Sequence, residues 1–241
     1  VEDTNFQKKV LTGTEELDTM VGGGIPEGHV ILLGGNTGSG KTTFGMQFLY
    51  EGLKNGETCI YVNLEESKKQ IKKTAKAHGW DLDGYEEDGR LVFVTPDLID
   101  TYTDKVLYRI KDVIDKKNAS RLFLDSASSL ESASMSKDAV REFLLQLNHL
   151  MKTNGITAIV TYLTSKLFGS SGKEIFSNDV ASRIRLSSLS DGIILLRYFQ
   201  EDMNVKKAIS VLKMRGVDHD RMIREFSIGK TGIDIVMEGD E

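Results

Sequence analysis

The stretch GNTGSGKT, Gly35 to Thr42, constrains this chain more than any other eight residues. It fits G-x-x-x-x-G-K-[ST] and lies between the apolar run HVILLG and a helical pattern that starts near Thr42. In that setting Gly35, Gly38 and Gly40 let backbone N–H groups turn inward around a phosphate. Asn36, Thr37 and Ser39 complete the loop, and the helix start at Thr42 and Thr43 adds its partial positive charge. Lys41 is expected to reach the β- and γ-phosphates of a bound nucleotide, and the Thr42 hydroxyl to ligate Mg²⁺.

A phosphate loop of this kind needs a parallel sheet around it, and the sequence supplies one. HVILLGG, TCIYVNL, RLVFVT, RLFLDS, GITAIVTYL and GIILLRY are short continuous apolar runs, as strands buried on both faces require. Helical spacing separates the first five. In TTFGMQFLYEGLK, Phe44, Phe48, Leu49 and Leu53 share one stripe, and the segments from Lys105 to Ile114 and from Val140 to Met151 behave alike. Alternation of this kind predicts an α/β fold, a mostly parallel twisted sheet with helices on both faces. Beyond about residue 190, GIILLRY, KKAISVLKM, MIREFSI and GIDIVM leave little room for helices and are expected to be antiparallel strands at one edge. Residues 1–241 are expected to form one domain, with no low-complexity linker and no internal repeat.

Two further positions complete a nucleotide site. Asp125 ends the apolar run RLFLD, where open α/β sheets place their ligands, and is expected to be the second Mg²⁺ anchor. Glu65 and Glu66 follow the strand after the phosphate-loop helix. Adjacent carboxylates point in roughly opposite directions; Glu65 is the preferred base for the attacking water over Glu66, and the one turned away is an exposed loop residue or helps start the next helix. The five lysines of SKKQIKKTAKAHGW fit a solvated helix face.

The chain holds 31 Lys and Arg against 36 Asp and Glu, a formal net charge of −5, which argues against broad adhesion to nucleic acid or an anionic membrane. No apolar run is long enough to cross a bilayer, the first residues lack a signal-peptide core, and the single Cys59 fits a reducing compartment. A cytoplasmic location is the expectation.

The chain resembles the KaiC group of RecA-like ATPases over nearly its whole length. The resemblance rests on TGTEELDTMVGGGIPEGHVILLGGNTGSGKT, the Glu65-Glu66 pair, the Asp125-Ser126 strand end and VLKMRGVDHDRMIREFSI, in that order. It implies a homo-oligomeric ring, commonly a hexamer, with ATP held between subunits. Lys213, Arg215 and His219 would then reach the neighbour's nucleotide. Lys213 and Arg215 are also expected to share one strand face. SSLSDGIILLRY is similar to the segment that carries an autophosphorylated hydroxyl pair in the group, and Ser187 and Ser188 fall on that pair. An Mg²⁺-dependent ATPase with serine autokinase activity is therefore the leading expectation, its protein partner unspecified. Two others stand beside it. One is single-stranded DNA binding through residues 165–179, SKLFGSSGKEIFSND, which the acidic balance disfavours. The other is a non-hydrolysing assembly switch, against which the intact Glu65 argues.

Overall fold

The computed structural model describes residues 8–96, 103–133, 137–164 and 189–237. The chain opens with β1 (Lys9–Val10), α1 (Glu15–Met20) and β2 (Ile25–Pro26). Then come β3 (Val30–Gly35), α2 (Lys41–Lys54), β4 (Cys59–Asn63), α3 (Lys68–Ala77), α4 (Asp83–Glu87) and β5 (Leu91–Val94). The alternation continues through α5 (Thr103–Lys117), β6 (Arg121–Asp125), α6 (Ala127–Ala133), α7 (Lys137–Thr153) and β7 (Thr157–Leu163). The strands β8 (Gly192–Glu201), β9 (Asn204–Met214), β10 (Arg224–Gly229) and β11 (Gly232–Ile235) follow.

Nine strands form one sheet in the order β11-β10-β9-β8-β3-β7-β6-β4-β5, with β1 and β2 as a separate pair. β3 through β8 pair in parallel, while β8-β9, β9-β10 and β10-β11 are antiparallel. The expected α/β architecture is the one observed, with one refinement. β8 runs parallel to β3 on one side and antiparallel to β9 on the other, so the direction of pairing changes across GIILLRY rather than before it.

Two apolar layers cover the sheet, and they explain why its strands read as unbroken apolar runs. Along β4, Cys59 and Tyr61 face the layer built on α2 and α3, whereas Ile60 and Val62 face the layer built on α5 and α7. β6 divides in the same way, with Phe123 on the first side and Leu122 and Leu124 on the second. The period of two persists, but both faces are dry, so no polar residue marks it. Phe44, Phe48, Leu49 and Leu53 all enter the first layer, as their helical spacing predicts. Among the described residues no helix is long and apolar enough to cross a membrane.

Candidate functional site

The phosphate-loop motif forms the turn from β3 into α2. Gly40, the N-cap, has φ 107°, and Gly38 has φ 75°, conformations that L side chains rarely adopt. Space is equally restrictive at the motif's first residue. A Cβ on Gly35 would lie 2.5 Å from Ser39 Oγ and 2.9 Å from the Leu196 carbonyl oxygen. The loop is pinned to the end of β7: Asn36 Nδ2 donates to Thr164 O at 3.1 Å and Thr164 N to Gly35 O at 3.1 Å. Lys41 Nζ folds across the loop and donates to the carbonyls of Gly35 at 3.0 Å and Asn36 at 2.9 Å. Thr37 is exposed, Ser39 is fully buried with no hydrogen-bond partner for its Oγ among the described residues, and Thr43 is half-buried in the first turn.

Asp125 meets this loop from the end of β6. Thr42 Oγ1 donates to its Oδ2 at 2.7 Å, and Thr161 Oγ1 of β7 donates to its Oδ1 at 2.6 Å. The pairing joins residues 83 positions apart in sequence. Burial pushes the Asp125 carboxyl above its ordinary range, and Glu65 pushes the same way against the two hydroxyls and Lys41. Burial likewise lowers Lys41, opposed by Asp125 and Glu65. One half-buried ammonium, one buried carboxylate and a hydroxyl therefore converge where α2 begins.

Glu65 and Glu66 are both exposed at the end of β4, and the structure separates them. The Glu65 carboxylate accepts hydrogen bonds from the hydroxyls of Ser126 and Ser129, the latter at 2.7 Å. Glu66 makes no side-chain hydrogen bond among the described residues; burial, then Asp125 and Glu65, raise its carboxyl above the ordinary value. Starting the next helix falls to neither, since the Ser67 hydroxyl accepts from Gln70 N.

Lys213 and Arg215 lie at the other end of the sheet. Ile31 of β3 pairs with Gly192, and Gly192 pairs with Met214, so the end of β9 sits beside the start of β3. The phosphate loop leaves the opposite end of β3, about 16 Å away at 3.3 Å per residue. Lys213 Nζ donates to Ser190 O at 2.7 Å, and Arg215 Nη1 approaches Asp191 Oδ1 at 3.4 Å. The expectation that the two share a strand face needs refinement. β9 ends at Met214, and the register slips where Ile193 faces Lys213 and Ile194 faces Val211. His219 is half-buried in the following loop, which Asp220 N ties to Met20 O at 2.8 Å. Ser187, Ser188 and residues 165–179 lie outside the described residues.

Sequence reasoning missed Thr161, Ser126, Ser129 and Asp191. Thr161 had a signal, a hydroxyl residue inside the apolar run ITAIVTYL that is nevertheless fully buried. The others have none, since their partners come from distant segments.

A strand, glycine turn and helix in mid-sheet, with the end of a strand two places away supplying a carboxylate to the turn's threonine, define the RecA-like P-loop class. The chain belongs to the KaiC ATPase family, whose model, described as "ATPase: KaiC", matches residues 10–240. It is 36% identical over 235 residues to the circadian clock protein KaiC3 of a Synechocystis species, covering 98% of this chain and 45% of that protein. A UPF0273 protein of Thermotoga maritima is 33% identical over 245 residues, covering 94% of this chain and 95% of its own length. Among solved structures, a KaiC-like protein from Pyrococcus horikoshii superposes with a TM-score of 0.80 at 31% identity, covering 95% and 99% of the two chains. The chain spans less than half the length of the clock relative KaiC3.

Proposed function

We propose that this chain is a single KaiC-type domain spanning residues 1–241 that binds and hydrolyses ATP with Mg²⁺, in a cytoplasmic homo-oligomeric ring, a hexamer, with nucleotide between subunits. The observation that carries the reading is the 2.7 Å bond from Thr42 Oγ1 to Asp125 Oδ2, which brings the two motif halves to one point. An all-oxygen hydroxyl and carboxylate pair suits Mg²⁺, a hard cation that keeps water and phosphate oxygens as its remaining ligands. Thr42 and Asp125 would hold it, and when bound it offsets phosphate charge.

The protein's own groups do the rest. Backbone N–H groups of Gly35 to Thr43 cradle the phosphates, and Lys41 Nζ transfers from two loop carbonyls to phosphate oxygens. Glu65, oriented by the Ser126 and Ser129 hydroxyls, accepts the proton of the attacking water as that oxygen bonds to the γ-phosphorus and ADP departs. Asp125 and Glu65 add negative charge that opposes the effect of burial on Lys41, and Glu66 stands next to Glu65 as the alternate base. Lys213, Arg215 and His219 act across the interface, because the first two lie too far from their own subunit's phosphate loop. Cations delivered by a neighbour meet the charge of phosphoryl transfer as an arginine finger does. A serine hydroxyl, Ser187 or Ser188, replaces water in the autokinase reaction, with Glu65 taking its proton.

Incubation with γ-labelled ATP and Mg²⁺ tests this, with free phosphate measured and phosphosites mapped. Free phosphate together with label on Ser187 or Ser188 is expected. Free phosphate alone removes the autokinase, and neither product removes the enzyme.

A further inference from the structure

Asp191 connects three elements at the end of the sheet remote from the phosphate loop. It immediately precedes β8 and is 2% exposed. Toward β3, Asp191 N donates to Val30 O at 2.8 Å, and Val30 N donates to Asp191 Oδ2 at 3.1 Å. Toward the end of β9, Arg215 N donates to Asp191 O at 2.9 Å, and Lys213 Nζ to Ser190 O at 2.7 Å. Toward α7, Lys152 Nζ lies 2.8 Å from Asp191 Oδ1, and the same oxygen meets Arg215 Nη1 at 3.4 Å. His29 Nε2 contacts Arg215 O at 3.2 Å from the other side.

The two cations differ in distance rather than exposure. Lys152 has the short contact and Arg215 the long one, with side chains 46% and 50% exposed. A buried carboxylate stripped of its cation is strongly unfavourable, so an arginine that served as its sole partner would be difficult to release. Lys152 removes that obstacle: the guanidinium can turn outward to a phosphate while Asp191 keeps an ammonium at hydrogen-bond distance. Burial pushes the Asp191 carboxyl up, but Lys152 and the Val30 N–H outweigh it and hold the group ionised below its ordinary value.

We infer that Asp191 is a positioning residue that presents Lys213 and Arg215 to the neighbouring subunit's nucleotide, with Lys152 setting how firmly it grips Arg215. This rests on the cross-interface reading above. Asp191 touches no nucleotide itself. Its backbone and carboxylate fix the height and direction of the strand end that carries both cations.

The test uses the assembled protein with Mg²⁺ and ATP. Asp191→Asn keeps an oxygen for Val30 N but loses the charge; kcat is expected to fall about tenfold with KM little changed. Lys152→Met leaves Asp191 to draw Arg215 inward, and kcat is expected to fall again at unchanged KM. Co-expression with Lys41→Ala adds a readout that a merely structural role does not move. Mixed oligomers of Asp191→Asn and Lys41→Ala subunits recover turnover, because an intact phosphate loop then meets an intact cation pair. Arg215→Ala with Lys41→Ala is the control. If that control pair stays inactive, the cross-interface reading fails and the inference with it. If it recovers while Asp191→Asn retains wild-type kcat, the role of Asp191 alone is overturned. Should Asp191→Asn not fold, an unchanged kcat in Lys152→Met overturns it equally.

Discussion

Gly45 shows how one residue fixes the position of α2, and with it the phosphate loop. A Cβ there would lie 2.0 to 2.3 Å from three ring atoms of Phe123, which is itself fully buried. Gly45→Ala is therefore expected to destabilise the fold by about 1–3 kcal/mol, despite the gain of up to about 1 kcal/mol in helix propensity. Urea unfolding reads this as a lower midpoint; an unchanged or higher midpoint contradicts the packing. Asp18 gives a pH-dependent counterpart. Burial pushes its carboxyl up to about 6 from 3.8, with Glu51 adding to the rise, although Thr12 N donates to its Oδ1 at 2.8 Å. The folded state thus binds the proton more tightly than the unfolded chain, so this contribution is present below about pH 4 and lost as pH rises through about 6. The stability difference between wild type and Asp18→Asn should shift toward wild type as pH falls from 7 to 5, and a flat difference contradicts it. At this scale the glycines of the phosphate loop were legible because their demands are local. Asp18 was not, since its burial depends on how the whole first segment packs.

At the scale of elements, legibility followed length and dryness. The runs that became β3 through β7 announced themselves as apolar on both faces, and α2, α5 and α7 were long enough to show a period. α1, α4 and α6, of 6, 5 and 7 residues, were too short to show one. The lysine-rich α3 proved solvated but not idle, for Lys68 pairs with Glu86 at 2.6 Å and Lys72 with Asp83 at 2.5 Å, both on α4. Arg121 concealed more. It opens the apolar run of β6, yet is 2% exposed and donates to both Glu57 carboxylate oxygens and to the carbonyls of Leu11 and Phe48. One guanidinium therefore joins the first segment, α2 and the start of β6. Removing it takes the cation from Glu57, which keeps the Ser120 hydroxyl, and one donor from each of two carbonyls. Arg121→Met is expected to cost about 2–4 kcal/mol, less than for a fully buried pair because Glu57 retains some solvent. Chemical denaturation checks this, and a loss below about 1 kcal/mol would show that the network contributes little.

On the scale of the whole molecule, the candidate site is split between two ends of one sheet. The phosphate loop, Asp125 and Glu65 gather at the carboxyl ends of the parallel strands, and the Lys213–Arg215 pair stands at the other end. A heterologous, head-to-tail contact between copies is the arrangement that can bring such ends together, and repeated around an axis it closes a ring. The split explains why the first half of the site was legible in residues alone and the second was not. Loop, threonine and aspartate fulfil a geometric requirement within one chain, while in the proposed ring the cations act only with a second copy beside them. The central claim is that this chain turns over ATP at the loop with Glu65 as base. Steady-state phosphate release and ATP affinity, measured together for wild type and Glu65→Gln, test it most directly. Wild type is expected to turn over ATP, and the variant to lose about a hundredfold or more of that rate while its ATP affinity stays within about twofold. Equal turnover in the two proteins, or none in the wild type, would contradict it.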